Sequence, residues 1–88
     1  MKKIDITITN ELGIHARPAG MIANTSSRFA SDIKLVKDGM EVNAKSIMGI
    51  MTLAAGKGSI IEVTAKGKDE GEAVTAIADL FARKFDED

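Results

Sequence analysis

The side chains best suited to covalent chemistry cluster at Gly13-Ile14-His15-Ala16-Arg17-Pro18-Ala19, where the only histidine of the chain precedes a predicted helix and an arginine follows two residues later. Pro18 belongs in the first turn of such a helix, where its missing N–H costs nothing. The first N–H groups of a helix have no internal acceptor and carry partial positive charge, so the backbone at Ala16 and Arg17 can hold an anion beside His15. Arg17 adds a planar cationic fork suited to phosphate oxygens. A histidine so placed can accept a phosphoryl group covalently and surrender it again, with little machinery beyond orientation and charge stabilisation. On spacing alone, however, a lone histidine before a helix is more often a polar cap or a loop residue.

A second informative stretch is Lys45-Ser46-Ile47-Met48-Gly49-Ile50-Met51. Ser46 is a good N-cap for a short helix running from Ile47 to about Ala54. At about 100° per residue, Ile50 and Leu53 share one sector of that helix, while Ile47, Met48 and Met51 share another. Both sectors cannot easily face one core, so the second is expected to form an exposed patch near His15, its thioethers adaptable to partners of different shape. For Ile47, filling a gap in the core is nearly as good a reading.

Other stretches carry less. Gly56-Lys57-Gly58-Ser59 lacks the glycine spacing and strand-to-helix context of a phosphate loop and reads as a turn. Asp86-Glu87-Asp88 reads as a solvated, mobile acidic end rather than a metal site. The absence of cysteine removes disulfides and thiolate chemistry, and a single histidine argues against a transition-metal cage.

The elements that must position His15 follow from periodicity. Ile4, Ile6 and Ile8 alternate with polar residues as one strand with a buried face. Residues 16 to 29 place Ala19, Ile22, Ala23, Ser26 and Phe29 at helical spacing. Ile33 and Leu35, then Met40 and Val42, flank the turn Lys37-Asp38-Gly39 as a hairpin. Residues 60 to 66 supply a fourth strand, with Ile61, Val63 and Ala65 facing inward, and a helix over about Glu70 to Lys84 buries Val74, Ile77, Leu80 and Phe81. The order βαββαβα predicts an α+β fold: a two-layer open-faced sandwich, with a four-stranded antiparallel sheet covered on one face by three helices.

Composition narrows the function classes. With 88 residues, 44% of them apolar and 28% charged, the chain suits one folded domain with a modest core. Its net charge of −1 supplies no global field toward nucleic acid or anionic membrane, and with no Tyr or Trp it lacks the stacking platform of a sheet-based nucleic-acid binder. No stretch approaches the roughly 20 apolar residues of a membrane helix. With one candidate nucleophile and no evident substrate pocket, an enzyme in its own right is disfavoured.

The two motifs together resemble the signatures of HPr, the histidine-containing phosphocarrier family of the bacterial phosphotransferase system, and the resemblance extends over essentially the whole chain, element order included. It implies a single HPr-like phosphocarrier domain over 1–88, monomeric and cytoplasmic, with no cofactor and no metal. In that family the histidine is phosphorylated on Nδ1 by phosphorylated enzyme I, which draws on phosphoenolpyruvate, and donates to enzyme IIA domains during sugar uptake. By resemblance, His15 is the phosphocarrier and Arg17 its supporting cation. Ser46 matches the serine modified by HPr kinase/phosphorylase. Gly20, Asn24, Ser27, Lys45, Ile47, Met48 and Met51 form the surface that meets partners, with transcription regulators a further class. Many sugar-system members carry basic residues where this chain has Asn24 and Ser27, which leaves Arg17 and Lys45 as the expected local cations. The stretch Phe81 to Asp88 is also similar to the nitrogen-related branch, so the alternative is a regulatory HPr-like protein acting through phosphorylation-dependent binding.

Overall fold

Four alternating segments become strands β1 (Lys2–Thr7), β2 (Asp32–Lys37), β3 (Met40–Asn43) and β4 (Ile60–Lys66). In the computed structural model, which describes residues 1–87, they form one antiparallel sheet ordered β1-β4-β2-β3. Ile4, Val63, Leu35 and Val42 lie in register across all four strands. The side chains of Ile33, Leu35, Ile61, Val63 and Ala65 are wholly buried beneath the helices. Asp38 and Gly39 both take positive φ, the geometry that a two-residue hairpin turn requires.

The helices are α1 (Ala16–Ser26), α2 (Ile47–Met51) and α3 (Glu70–Ala82), which completes the order βαββαβα. Ala19, Ile22 and Ala23 of α1, Ile50 of α2, and Val74, Ile77, Leu80 and Phe81 of α3 close the core over the sheet. The open-faced two-layer α+β sandwich read from the sequence is therefore the observed architecture. In β1, Ile8 just beyond the strand is buried, whereas Ile4 and Ile6 are only half-buried, because this strand lies at the sheet edge and has a neighbour on one side only.

Each helix is shorter than its apolar spacing indicated. In α1, the Ser27 hydroxyl donates to the Ala23 carbonyl at 2.8 Å and the chain tightens into three-residue turns at Arg28 and Phe29, so Phe29 packs from beyond the helix. The chain after α2 leaves the helical path, with Ala54 at φ +49°. The third helix ends at Ala82 and not near Lys84. Lys84, Phe85 and Asp86 then take φ of +54°, +55° and +59°, a left-handed turn that costs L-residues roughly 1–2 kcal/mol each. Tertiary contacts impose it: the turn drives Phe85 into the core, edge-on to Phe81 with ring centroids 4.9 Å apart.

Asp69 ties the start of α3 to the entry of β2. Its carboxylate accepts the Ala30 and Ser31 N–H groups, both at 2.9 Å, and also the Ser31 hydroxyl. The Ser31 hydroxyl, followed by the Ala30 N–H, holds the Asp69 carboxyl below its ordinary range. A carboxyl depressed in the folded state lends stability above its unfolded value of about 3.9, and that stability is lost as pH falls through the folded value. Asp69→Asn is therefore expected to lower Tm at neutral pH and to flatten the acid limb of a Tm-against-pH curve. An unchanged acid limb would show that other carboxyls set it.

Candidate functional site

Local sequence seats the histidine. His15 is the N-cap of α1, with extended backbone, and its carbonyl accepts the first helical bond, from Ala19 N–H at 3.0 Å. Its side chain caps nothing, so the ring is free for other partners. The N–H groups of Ala16 and Arg17 precede that first bond, and Pro18 has none to offer. Behind the ring, Gly13 takes φ +66° and the Ile14 N–H bonds to the Ala55 carbonyl at 2.9 Å, which anchors the approach to α1 on the segment following α2. The His15 side chain is 37% exposed, open to solvent on one side and enclosed on the other.

The enclosing side comes from the other end of the chain. Glu87 Oε2 lies 2.5 Å from His15 Nε2, and Glu87 Oε1 accepts from Asn10 Nδ2 at 3.0 Å. Asn10 is almost wholly buried, and the same amide nitrogen donates to the Gly13 carbonyl at 2.7 Å. Arg17 directs one guanidinium nitrogen to the Phe85 carbonyl at 2.6 Å and lies 3.9 Å from Glu87 Oε2. Burial works to raise the Glu87 carboxyl, but hydrogen bonds from Asn10 and His15 and the charges of His15 and Arg17 outweigh it and hold the group below its ordinary range. The acidic end is accordingly not free in solvent as far as Glu87, whose side chain is 16% exposed. Asp88 lies outside the described residues.

Ser46 is an N-cap, as its position indicated: its hydroxyl accepts the Gly49 N–H at 3.0 Å and its carbonyl the Ile50 N–H. Ser46→Ala removes that acceptor at a cost of about 1 kcal/mol, and Tm is expected to fall by roughly 4–8 °C. A fall below a degree in a thermal melt would mean that solvent satisfies the Gly49 N–H equally well. On α2 the two sectors divide as expected. Ile50 and Leu53 are buried, while Ile47, Met48 and Met51 are exposed, Met48 by 76%.

On α1 Gly20 is half-buried and Asn24 exposed, Ser27 is exposed at its C-cap, and α1 packs on α2, so these residues share the helical layer with the apolar patch. The Lys45 ammonium donates to the Phe29 carbonyl at 2.9 Å, just beyond the end of α1. Sequence reasoning overlooked Asn10, Phe85 and Glu87, for which no local signal existed.

Comparison with known proteins bears on the family and the fold. The family described as the PTS HPr component phosphorylation site matches residues 2–83. The chain is 51% identical over 83 residues to a phosphocarrier protein HPr of Treponema pallidum (strain Nichols), covering 94% of each chain. It is 47% identical over 88 residues to a phosphocarrier protein HPr of Xylella fastidiosa (strain Temecula1 / ATCC 700964), covering 100% of this chain and 99% of that one. Among solved structures, HPr-C-His from Thermoanaerobacter tengcongensis superposes with a TM-score of 0.96 at 48% identity, covering 100% of this chain and 99% of that one.

Proposed function

Because this chain belongs to the HPr family, whose members are phosphocarriers of the phosphotransferase system and not catalytic enzymes, we propose that it carries the phosphoryl group on His15. It accepts that group from phosphoenolpyruvate-charged enzyme I and passes it to enzyme IIA domains, acting as a monomer. The observation that carries the assignment is the seat of His15: a partly exposed imidazole at the N-cap of α1, beside N–H groups that the helix leaves unpaired. Ala16 and Arg17 supply those backbone donors, and the Arg17 guanidinium supplies charge. Ile47, Met48 and Met51, with Gly20, Asn24 and Ser27, form the docking face around them, and Lys45 supports it from the end of α1. The deciding experiment is incubation with enzyme I and phosphoenolpyruvate, followed by mass-spectrometric location of an acid-labile phosphate.

Arg17 is half-exposed, and its one short bond is to a carbonyl, so its charge matters most when a phosphoryl oxygen is near. Arg17→Ala is expected to slow transfer by about 100- to 1,000-fold while costing no more than about 1.5 kcal/mol of stability. A transfer rate equal to wild type would assign the charge stabilisation to the backbone alone. Ser46 is the site at which a kinase would regulate docking, since a phosphate there sets anionic charge at the head of the helix bearing Met48 and Met51. Ser46→Asp tests this imperfectly, with one charge fewer than a phosphate. It is expected to keep the fold and to weaken binding to enzyme I in a titration, and binding as tight as wild type would leave Ser46 as a cap only.

A further inference from the structure

The short contact between His15 and Glu87 has a chemical consequence. An ionised carboxylate can only accept a hydrogen bond, so the proton between these two groups belongs to Nε2, and in the neutral ring the lone pair then lies on Nδ1. The carboxylate is not a chance surface partner. Its second oxygen is held by the buried Asn10 amide, whose remaining hydrogen is taken by the Gly13 carbonyl. The backbone that delivers it is the left-handed turn Lys84–Asp86, pinned by the buried Phe85 ring and by Arg17 on the Phe85 carbonyl. Three non-glycine residues in a disfavoured conformation thus bring one carboxylate to one ring nitrogen.

We propose that Glu87 is a positioning residue for phosphoryl transfer, keeping a proton on Nε2 of His15 throughout the cycle so that Nδ1 attacks phosphorus and the ring later departs as neutral imidazole. The inference rests on His15 being the phosphoryl acceptor. In the forward step the Nδ1 lone pair forms the N–P bond, while the bond from phosphorus to the donor breaks and its electron pair stays with the donor. Nε2 keeps its hydrogen, and the positive charge that develops on the ring faces the Glu87 carboxylate. In the return step the N–P electron pair goes back to Nδ1 as the acceptor binds phosphorus. No proton enters or leaves the ring in either direction. Without the Nε2 proton, the leaving group would be an imidazolate anion, a far poorer one.

The test is ¹⁵N NMR of the imidazole in the full chain, wild type and Glu87→Gln, together with the rate of phosphoryl transfer from enzyme I. The expected result is an Nε2–H tautomer in wild type, a mixture of tautomers in Glu87→Gln, and transfer slowed on the order of 10- to 100-fold, the loss seen when a metal-bound histidine loses its carboxylate partner. Glu87→Asp, which keeps the charge on a shorter arm, is expected to recover part of both. Circular dichroism establishes that the variants remain folded. Wild-type tautomer and wild-type rate in Glu87→Gln would overturn the inference while leaving His15 as carrier. Phosphate found elsewhere than on His15 would overturn the carrier assignment itself, and the inference with it.

Discussion

His15→Ala is expected to abolish acid-labile phosphorylation by enzyme I while leaving the fold in place. The chain holds one histidine, so no second imidazole can substitute. The fold should tolerate the loss, because the side chain is partly exposed and the N-cap role of residue 15 is carried by its backbone carbonyl, which alanine retains. The Glu87 carboxylate keeps its bond from Asn10 and its proximity to Arg17. A change in Tm within about 5 °C is expected, as for substitutions outside a core. Acid-labile phosphate retained by the folded variant would falsify the carrier assignment, whereas a variant that fails to fold would be replaced by His15→Gln, which keeps a polar side chain at the same site.

Gly13→Ala is expected to damage both stability and transfer. A Cβ there would stand 2.5 Å from the Ala55 carbonyl oxygen and 2.7 Å from the Gly56 Cα, and both are backbone atoms that cannot swing aside as a side chain would. The φ of +66° adds a conformational penalty of about 1 kcal/mol for any L side chain, and the steric conflict adds about 1–3 kcal/mol. Together these correspond to a fall in Tm of roughly 8–32 °C for a domain of this size. The Gly13 carbonyl also holds Asn10, and the next N–H anchors Ile14 to Ala55, so the seat of His15 would shift with the loop. Slower phosphorylation at a temperature where the variant is still folded is the distinguishing result. Wild-type Tm and rate together would show that the loop relaxes without cost.

What local chemistry encodes is legible in the sequence. Alternation in Ile61, Val63 and Ala65 determined a half-buried strand, because side chains at period two must share a face. The Ser46 cap and the two sectors of α2 were legible for the same reason: hydrogen-bonding reach and the angle of 100° per residue act within one turn. His15 at the mouth of α1, followed by Arg17 and Pro18, was local as well, although only the family resemblance raised it above a polar cap. Helix ends were read too long. Apolar spacing continues through Phe29 and to Lys84, but the chain turns earlier to bring Phe29 and Phe85 inward.

The surroundings of the imidazole were decided by tertiary structure alone. Glu87 stands 72 residues from His15 and 77 from Asn10 in sequence, separations at which no periodicity or cap signal operates. By composition the acidic end should be solvated, and Lys84, Phe85 and Asp86 carry no local preference for a left-handed turn. The fold overrides both because that turn buries the Phe85 ring, gives the buried Asn10 amide a second acceptor and brings Arg17 to the Phe85 carbonyl. The sequence by itself determined that the one imidazole stands at the mouth of the first helix, two residues before an arginine. Only the packing of the last turn against the first loop decided which nitrogen of that residue is left open, since that choice depends on a hydrogen bond between opposite ends of the chain.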